Sequence, residues 1–172
     1  MKRFLAVLCL FSVAAGAESI AGVKWTTPAG WKTEAARPMR AATYIVPAAP
    51  GDADAAECVV YFFGQGSGGS VDANIERWKG QILKPDGKEA DAQIQKRTIH
   101  GLPVTTIDST GSYTGMGGPL APGAIVKNQY RMIGAVIVNP GGNLFVKFTG
   151  PVKTVTLNKA KFDQLLQSFE KN

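Results

Sequence analysis

Histidine and cysteine are nearly missing from this chain, and much chemistry goes with them. One histidine, His100, and two cysteines, Cys9 and Cys58, are all it has. A zinc centre needs three or four such ligands, so none is expected. Cys9 falls in the apolar leader described below, which leaves Cys58 alone and rules out an intramolecular disulfide in the mature chain. A thiolate nucleophile would need His100 as its base. Cys58, however, lies in Glu57-Cys-Val-Val-Tyr-Phe-Phe63, the pattern of a core strand. No Gly-x-Ser-x-Gly elbow occurs, so a hydrolase would have to assemble an unfamiliar site from His100, Asp108 and a serine. An EF-hand pattern is missing too, and Asp52, Asp54 and Glu57 read as a solvated loop. Long apolar runs are also lacking: none approaches the ~20 residues of a membrane-spanning helix. The 19 basic and 13 acidic residues give a positive balance, but the basic ones are scattered, which argues against nucleic acid as a partner.

What is present begins with a targeting signal. Lys2 and Arg3 precede an apolar run from Phe4 to Ala14, and Ala15-Gly16-Ala17 offers a small-x-small cleavage site. That is the layout of a secretory signal peptide over residues 1–17, with Cys9 too early to be a lipoprotein anchor. The mature protein is expected to start near Glu18, as one domain over 18–172, and to be periplasmic or secreted.

Strands dominate the middle of the chain. In Met39 to Val46, Ala42, Tyr44 and Val46 share one parity, and Cys58 to Phe63 is apolar enough for a central strand. Ser70 can cap a helix in which Val71, Ile75, Trp78 and Ile82 form one stripe, with Asn74, Arg77 and Gln81 facing elsewhere and Pro85-Asp-Gly87 ending it. Trp78 is the expected anchor of this helix. Strands follow over 92–98 and 102–108, joined across His100-Gly101. The glycines from Gly111 to Gly123 break any long element. Strands at 130–138 and 143–149 flank Pro140-Gly-Gly142 and should pair as a hairpin. A closing helix from Lys159 to Phe169, capped by Asn158, presents Phe162, Leu165, Leu166 and Phe169. Trp25 and Trp31 should cover one end of the core. Hairpins rather than strand–helix crossovers link most elements, which predicts an α+β fold with an antiparallel sheet covered by helices.

Three segments carry a resemblance that spans nearly the whole mature chain. They are Trp25-Thr-Thr-Pro-Ala-Gly-Trp31, Ala73-Asn-Ile-Glu-Arg-Trp78 with Gln81, and Phe145-Val-Lys-Phe-Thr-Gly-Pro151. In these the chain resembles exported bacterial proteins with the PsbP-like fold, which is named after an extrinsic protein of photosystem II. The resemblance implies a PsbP-like α/β/α sandwich, and binding or assembly roles rather than catalysis. The photosystem member helps retain calcium and chloride by docking on larger subunits. None of its functional residues is matched here, so no metal or cofactor is implied.

One motif invites a ligand. Gly64-Gln-Gly-Ser-Gly-Gly69 fits G-x-G-x-x-G between a strand and a helix. No repeated strand–helix–strand succession follows it, and no Lys-Ser or Lys-Thr completes a P-loop, so a flexible connection is the simpler account. Gly66, Ser67, Gly69 and Ser70 could still hold an anion at the helix start. Tyr113 and Met116 would form a facing wall if the two glycine-rich loops met at one sheet edge. The expected function is thus an exported, non-enzymatic binding or accessory protein, its partner another envelope protein or a small ligand. A small-ligand or anion carrier using Gly64 to Ser70, or a hydrolase with an unrecognised site, are the alternatives.

Overall fold

The computed structural model describes residues 17–115 and 126–172. The leader up to Gly16, with Cys9, and the wall residue Met116 lie outside the described residues. Five strands come first: β1 (Ala17–Ile20), β2 (Val23–Thr26), β3 (Lys32–Thr33), β4 (Arg40–Val46) and β5 (Ala56–Phe62). Helix α1 (Val71–Lys79) leads through β6 (Ile82–Leu83) into the longer strands β7 (Ala92–Ile99), β8 (Leu102–Tyr113), β9 (Lys127–Ile137) and β10 (Leu144–Pro151). Helices α2 (Val152–Leu157) and α3 (Lys159–Gln167) and strand β11 (Glu170–Lys171) follow.

The large sheet runs β3-β4-β5-β10-β9-β8-β6, with β7 added along β8, and its pairings are antiparallel. Strands β1, β2 and β11 make a separate small sheet. This is an α+β fold with helices on both faces of an antiparallel sheet. The expected hairpin is β9–β10, with Ile137 opposite Leu144. The β7–β8 reversal takes two residues, His100 (φ 45°) and Gly101 (φ 78°), both left-handed as a type I′ turn requires.

Period-two alternation divides the sheet into two faces. Tyr44, Cys58, Val146, Phe148, Ile133 and Ala135 point to the α3 side. There they meet Phe162, Leu165, Leu166 and Phe169, all at most 1% exposed. Trp25 stacks on Phe169 at 5.2 Å, and its indole N–H donates to Tyr44 Oη (2.8 Å), which in turn donates to Glu18 (2.9 Å). Burying these polar tips therefore leaves no orphan donor. Phe145, Met132, Val136 and Ile107 point the other way and meet Ile75 and Trp78 of α1. Trp78 lies flat on Gly134, where any Cβ would fall 2.5 Å from its ring. A glycine in this central strand is what lets the indole reach the sheet.

Several expectations need correction. Ile82 is not on the helix: α1 ends at Gly80, which breaks it, and Ile82 pairs with Tyr113 in β6. Asn74 and Gln81, off the apolar stripe, are nonetheless buried. Strand β8 continues past Asp108 to Tyr113, keeping Gly111 opposite Tyr130, and a register shift between Gly111 and Tyr113 takes up an extra residue on β9 near Gln129 (φ 54°). Asn158 makes no side-chain cap to α3; its amide instead donates to the Thr154 carbonyl and accepts from the Trp31 indole. Asp52 does more than solvate a loop, accepting from the backbone N–H (2.9 Å) and hydroxyl (2.5 Å) of Thr154 and so fixing the start of α2.

Candidate functional site: a buried lysine and an open cleft

Because Leu144, Val146 and Phe148 take the α3 face of β10, Lys147 must take the α1 face with Phe145. It is only 6% exposed. Its Nζ donates to Gln81 Oε1 and to Tyr113 Oη (3.0 Å), and sits 4.8 Å from the centre of the Tyr113 ring. Gln81 is itself held by Thr114, whose N–H and hydroxyl donate to its carbonyl. Phe63 and Phe145, 5.6 Å apart, continue the wall, with Tyr61 stacked on Phe63. No carboxylate among the described residues pairs with Lys147; the neighbouring Glu57 is bonded by Arg40 (2.6 Å). Two segments that carry the family resemblance, the one with Trp78 and Gln81 and the one with Lys147, therefore meet here.

Burial, with the nearby Arg77 charge adding to it, pushes the Lys147 ammonium down to about 7. A neutral amine beside a phenol is a reactive pair in principle. Space decides otherwise: the slot over Lys147 holds about 20 Å³, room for one water at ~10–15 Å³ and for no substrate. The amine is part of the core.

Its titration has a measurable consequence. An unfolded lysine titrates near ~10.4, so above pH 7 the unfolded chain holds the extra proton and stability rises with pH. The buried Cys58 thiol is pushed up from an unfolded value near ~8.5, so it opposes the rise from there. Tyr113, raised to about 12 by burial, and Tyr44, also raised, lower stability beyond ~10. Urea unfolding is expected to show a gain of about 2 kcal/mol between pH 7 and 8.5 at ~1.36 kcal/mol per unit, then a plateau and a decline. Lys147→Met should remove the gain. A flat profile from 7 to 8.5 in the unsubstituted protein would contradict the buried, depressed ammonium.

Among the described residues singled out beforehand, Tyr113 is not beside Gly66, Ser67, Gly69 and Ser70. Strand polarity puts the end of β5, which leads into Gly64–Ser70, and the end of β8, which carries Tyr113, at opposite ends of the sheet; Met116 lies outside the described residues. Gly66, Ser67, Gly69 and Ser70 are exposed at one end. There Ser70 Oγ accepts from Ala73 N–H (3.2 Å), and the Asn74 amide donates to the carbonyls of Gly68 and Ser70. Gly68 (φ 88°) packs so closely on Phe145 and Phe63 that only glycine fits. Tyr113, at the other end, is stacked on Tyr130 and bonded to Lys147. His100 Nδ1 lies 3.1 Å from the Phe169 carbonyl, whereas Asp108 is gripped by Arg131 through two bonds of 2.9 and 2.6 Å. Six residues of strand, about 20 Å at ~3.3 Å each, separate the β8 end beside His100 from Asp108, so the two do not form a triad. Among the described residues, no three His, Cys, Asp or Glu side chains group as a metal would need. None of the described helices is long and apolar enough to cross a membrane.

Among the described residues, a cleft of about 720 Å³ opens where β6, β8 and β9 converge. Leu83, Pro85, Gly111, Thr114, Val126 and Val152 are among its lining residues, with Asn128 and Gln129 also on it. Tyr113 lies between lining residues Ser112 and Thr114 but turns its ring to Lys147. Sequence reasoning missed the cleft, since it depends on Gly111 and Gln129 bending adjacent strands. Lys147 had left a signal: a lysine at the inward parity of Phe145-Val-Lys-Phe.

The fold has solved counterparts. The solution structure of cyanobacterial PsbP (CyanoP) from Synechocystis sp. PCC 6803 is similar over 98% of this chain and 99% of that one, at 14% identity and a TM-score of 0.55. The crystal structure of PA94 from Pseudomonas aeruginosa is similar over 90% of this chain and 94% of that one, at 12% identity and a TM-score of 0.50. Likeness at such identities shows a PsbP-like fold and nothing finer. No protein-family model and no curated protein matches the sequence.

Proposed function

We propose that this chain is an exported binding or accessory protein, without chemistry of its own, that engages its partner through the cleft between β6, β8 and β9. The cleft carries this reading. Its volume of about 720 Å³ falls within the ~300–1,000 Å³ usual for ligand sites, and its lining pairs apolar walls with a few amides and hydroxyls and the Lys84 ammonium. His100 and Lys147 are not among its lining residues. Tyr113 backs the cleft, and Met116 follows it closely in sequence. Gly66, Ser67, Gly69 and Ser70 offer a second, exposed contact at the far end of the sheet. Export rests on the leader of residues 1–17, and a PsbP-like frame suits docking on a larger assembly.

A photo-cross-linking residue placed at Asn128, which is exposed on the cleft, tests the reading in living cells. One discrete adduct is expected there and none from the same residue at Lys171, and the mature protein recovered from the periplasm or medium should begin near Glu18. Equal, diffuse labelling from both positions would count against the cleft. An intact leader on the recovered protein would count against export.

A further inference from the structure

We propose that a second, polar cavity, between β7, β8 and the first turn of α3, binds a small carboxylate through the Arg97 guanidinium. It lies on the α3 side of the sheet and is independent of the cleft. Strand parity puts Gln93, Gln95 and Arg97 of β7 on that side, with Thr106 opposite Gln95 and Asp108 opposite Gln93. Lys159 and Asp163 of α3 close the space, and Ile133 and Phe162 also line it. The volume is about 120 Å³, several times the ~10–15 Å³ that one water needs, which suits an ion the size of acetate or lactate.

Charge pairing selects the ligand. Asp108 is neutralised by the two bonds from Arg131, and Asp163 by Lys159 at 2.7 Å. Arg97 is the basic group left over: no carboxylate among the described residues pairs with it, and its Nε is buried without an acceptor. An unpaired guanidinium lining a cavity attracts a carboxylate, which fits its fork with two parallel bonds. Three basic and two acidic side chains leave a single positive charge, so a monoanion completes the set. A phosphate dianion would overshoot that charge and set its oxygens against Asp108 and Asp163. The Gln93 and Gln95 amides and the Thr106 hydroxyl can then read a polar substituent on the acid, while Phe162 covers its apolar part.

The test is an amide NMR titration of the mature protein with sodium acetate, sodium lactate, sodium phosphate and sodium chloride at constant ionic strength. Saturating shifts at Gln95, Thr106 and Lys159 are expected with acetate or lactate, with a Kd on the order of 1 mM for so small a ligand. Arg97→Gln should weaken binding at least tenfold. Arg97→Lys, which keeps the charge but loses the fork, should fall between, and it carries the test if Arg97→Gln does not fold. Shifts that stay linear, that persist unchanged in both variants, or that saturate with phosphate alone would overturn the assignment.

Discussion

A chain ending at Asn158 is expected to show no cooperative unfolding transition. The deleted segment carries Phe162, Leu165, Leu166 and Phe169, each at most 1% exposed. Each is worth about 1.5–3 kcal/mol on burial, so together they match most of the ~5–15 kcal/mol that holds a domain folded. Their loss also uncovers Trp25, whose stacking partner is Phe169, and Phe148, whose partner is Phe162. The small sheet loses β11, and His100 loses the Phe169 carbonyl. Calorimetry and near-ultraviolet circular dichroism would read the effect. A sharp transition near the full-length temperature would show that α3 is peripheral and that the core is placed wrongly.

The second large effect lies on the opposite face. Trp78→Ala should cost about 3–5 kcal/mol, since it removes a side chain only 4% exposed and leaves a cavity over Gly134. Gly134→Ala should cost about 1–3 kcal/mol, because its methyl would meet the indole at 2.5 Å and Ile107 at 3.0 Å. The double variant should be at least ~1 kcal/mol more stable than the sum of the two losses, the new methyl entering the space the indole left. Urea unfolding of the four proteins completes the cycle. Strict additivity would mean that the indole does not rest on the glycine.

Much of this architecture was legible in the sequence because its signals are local and agree with one another. The β9–β10 hairpin announced itself through Pro140-Gly-Gly142 between apolar runs, α1 through the Ser70 cap and the Ile75–Trp78 stripe, and α3 through Phe162, Leu165 and Leu166, with Phe169 just past its end at Gln167. Helix α2 was not legible, for Val152-Lys-Thr-Val-Thr is β-branched and reads as strand. It is helical because the Asp52 carboxylate, about a hundred residues earlier, accepts from Thr154. Asn74 and Gln81 lie off the apolar stripe, and periodicity alone sends such residues to solvent. Asn74 is buried by folding back on the carbonyls of Gly68 and Ser70, and Gln81 through Lys147, sixty-six residues away. The glycine-rich loop stood out as a motif, yet Gly68 is there to pass Phe145 closely. Where Tyr113 lies relative to Gly64–Ser70 required strand polarity, which depends on which strands become neighbours.

Chemistry at Lys147 and binding at the cleft make opposite demands, and one comparison separates them. Partner capture from native envelope would be quantified for the mature protein and for two variants whose folding is verified by thermal melting, Lys147→Met and Val126→Glu. Val126 is 51% exposed on the cleft, whereas Lys147 is in the core. The account predicts capture unchanged by Lys147→Met and reduced at least tenfold by Val126→Glu. Capture lost with Lys147→Met and retained with Val126→Glu would contradict it.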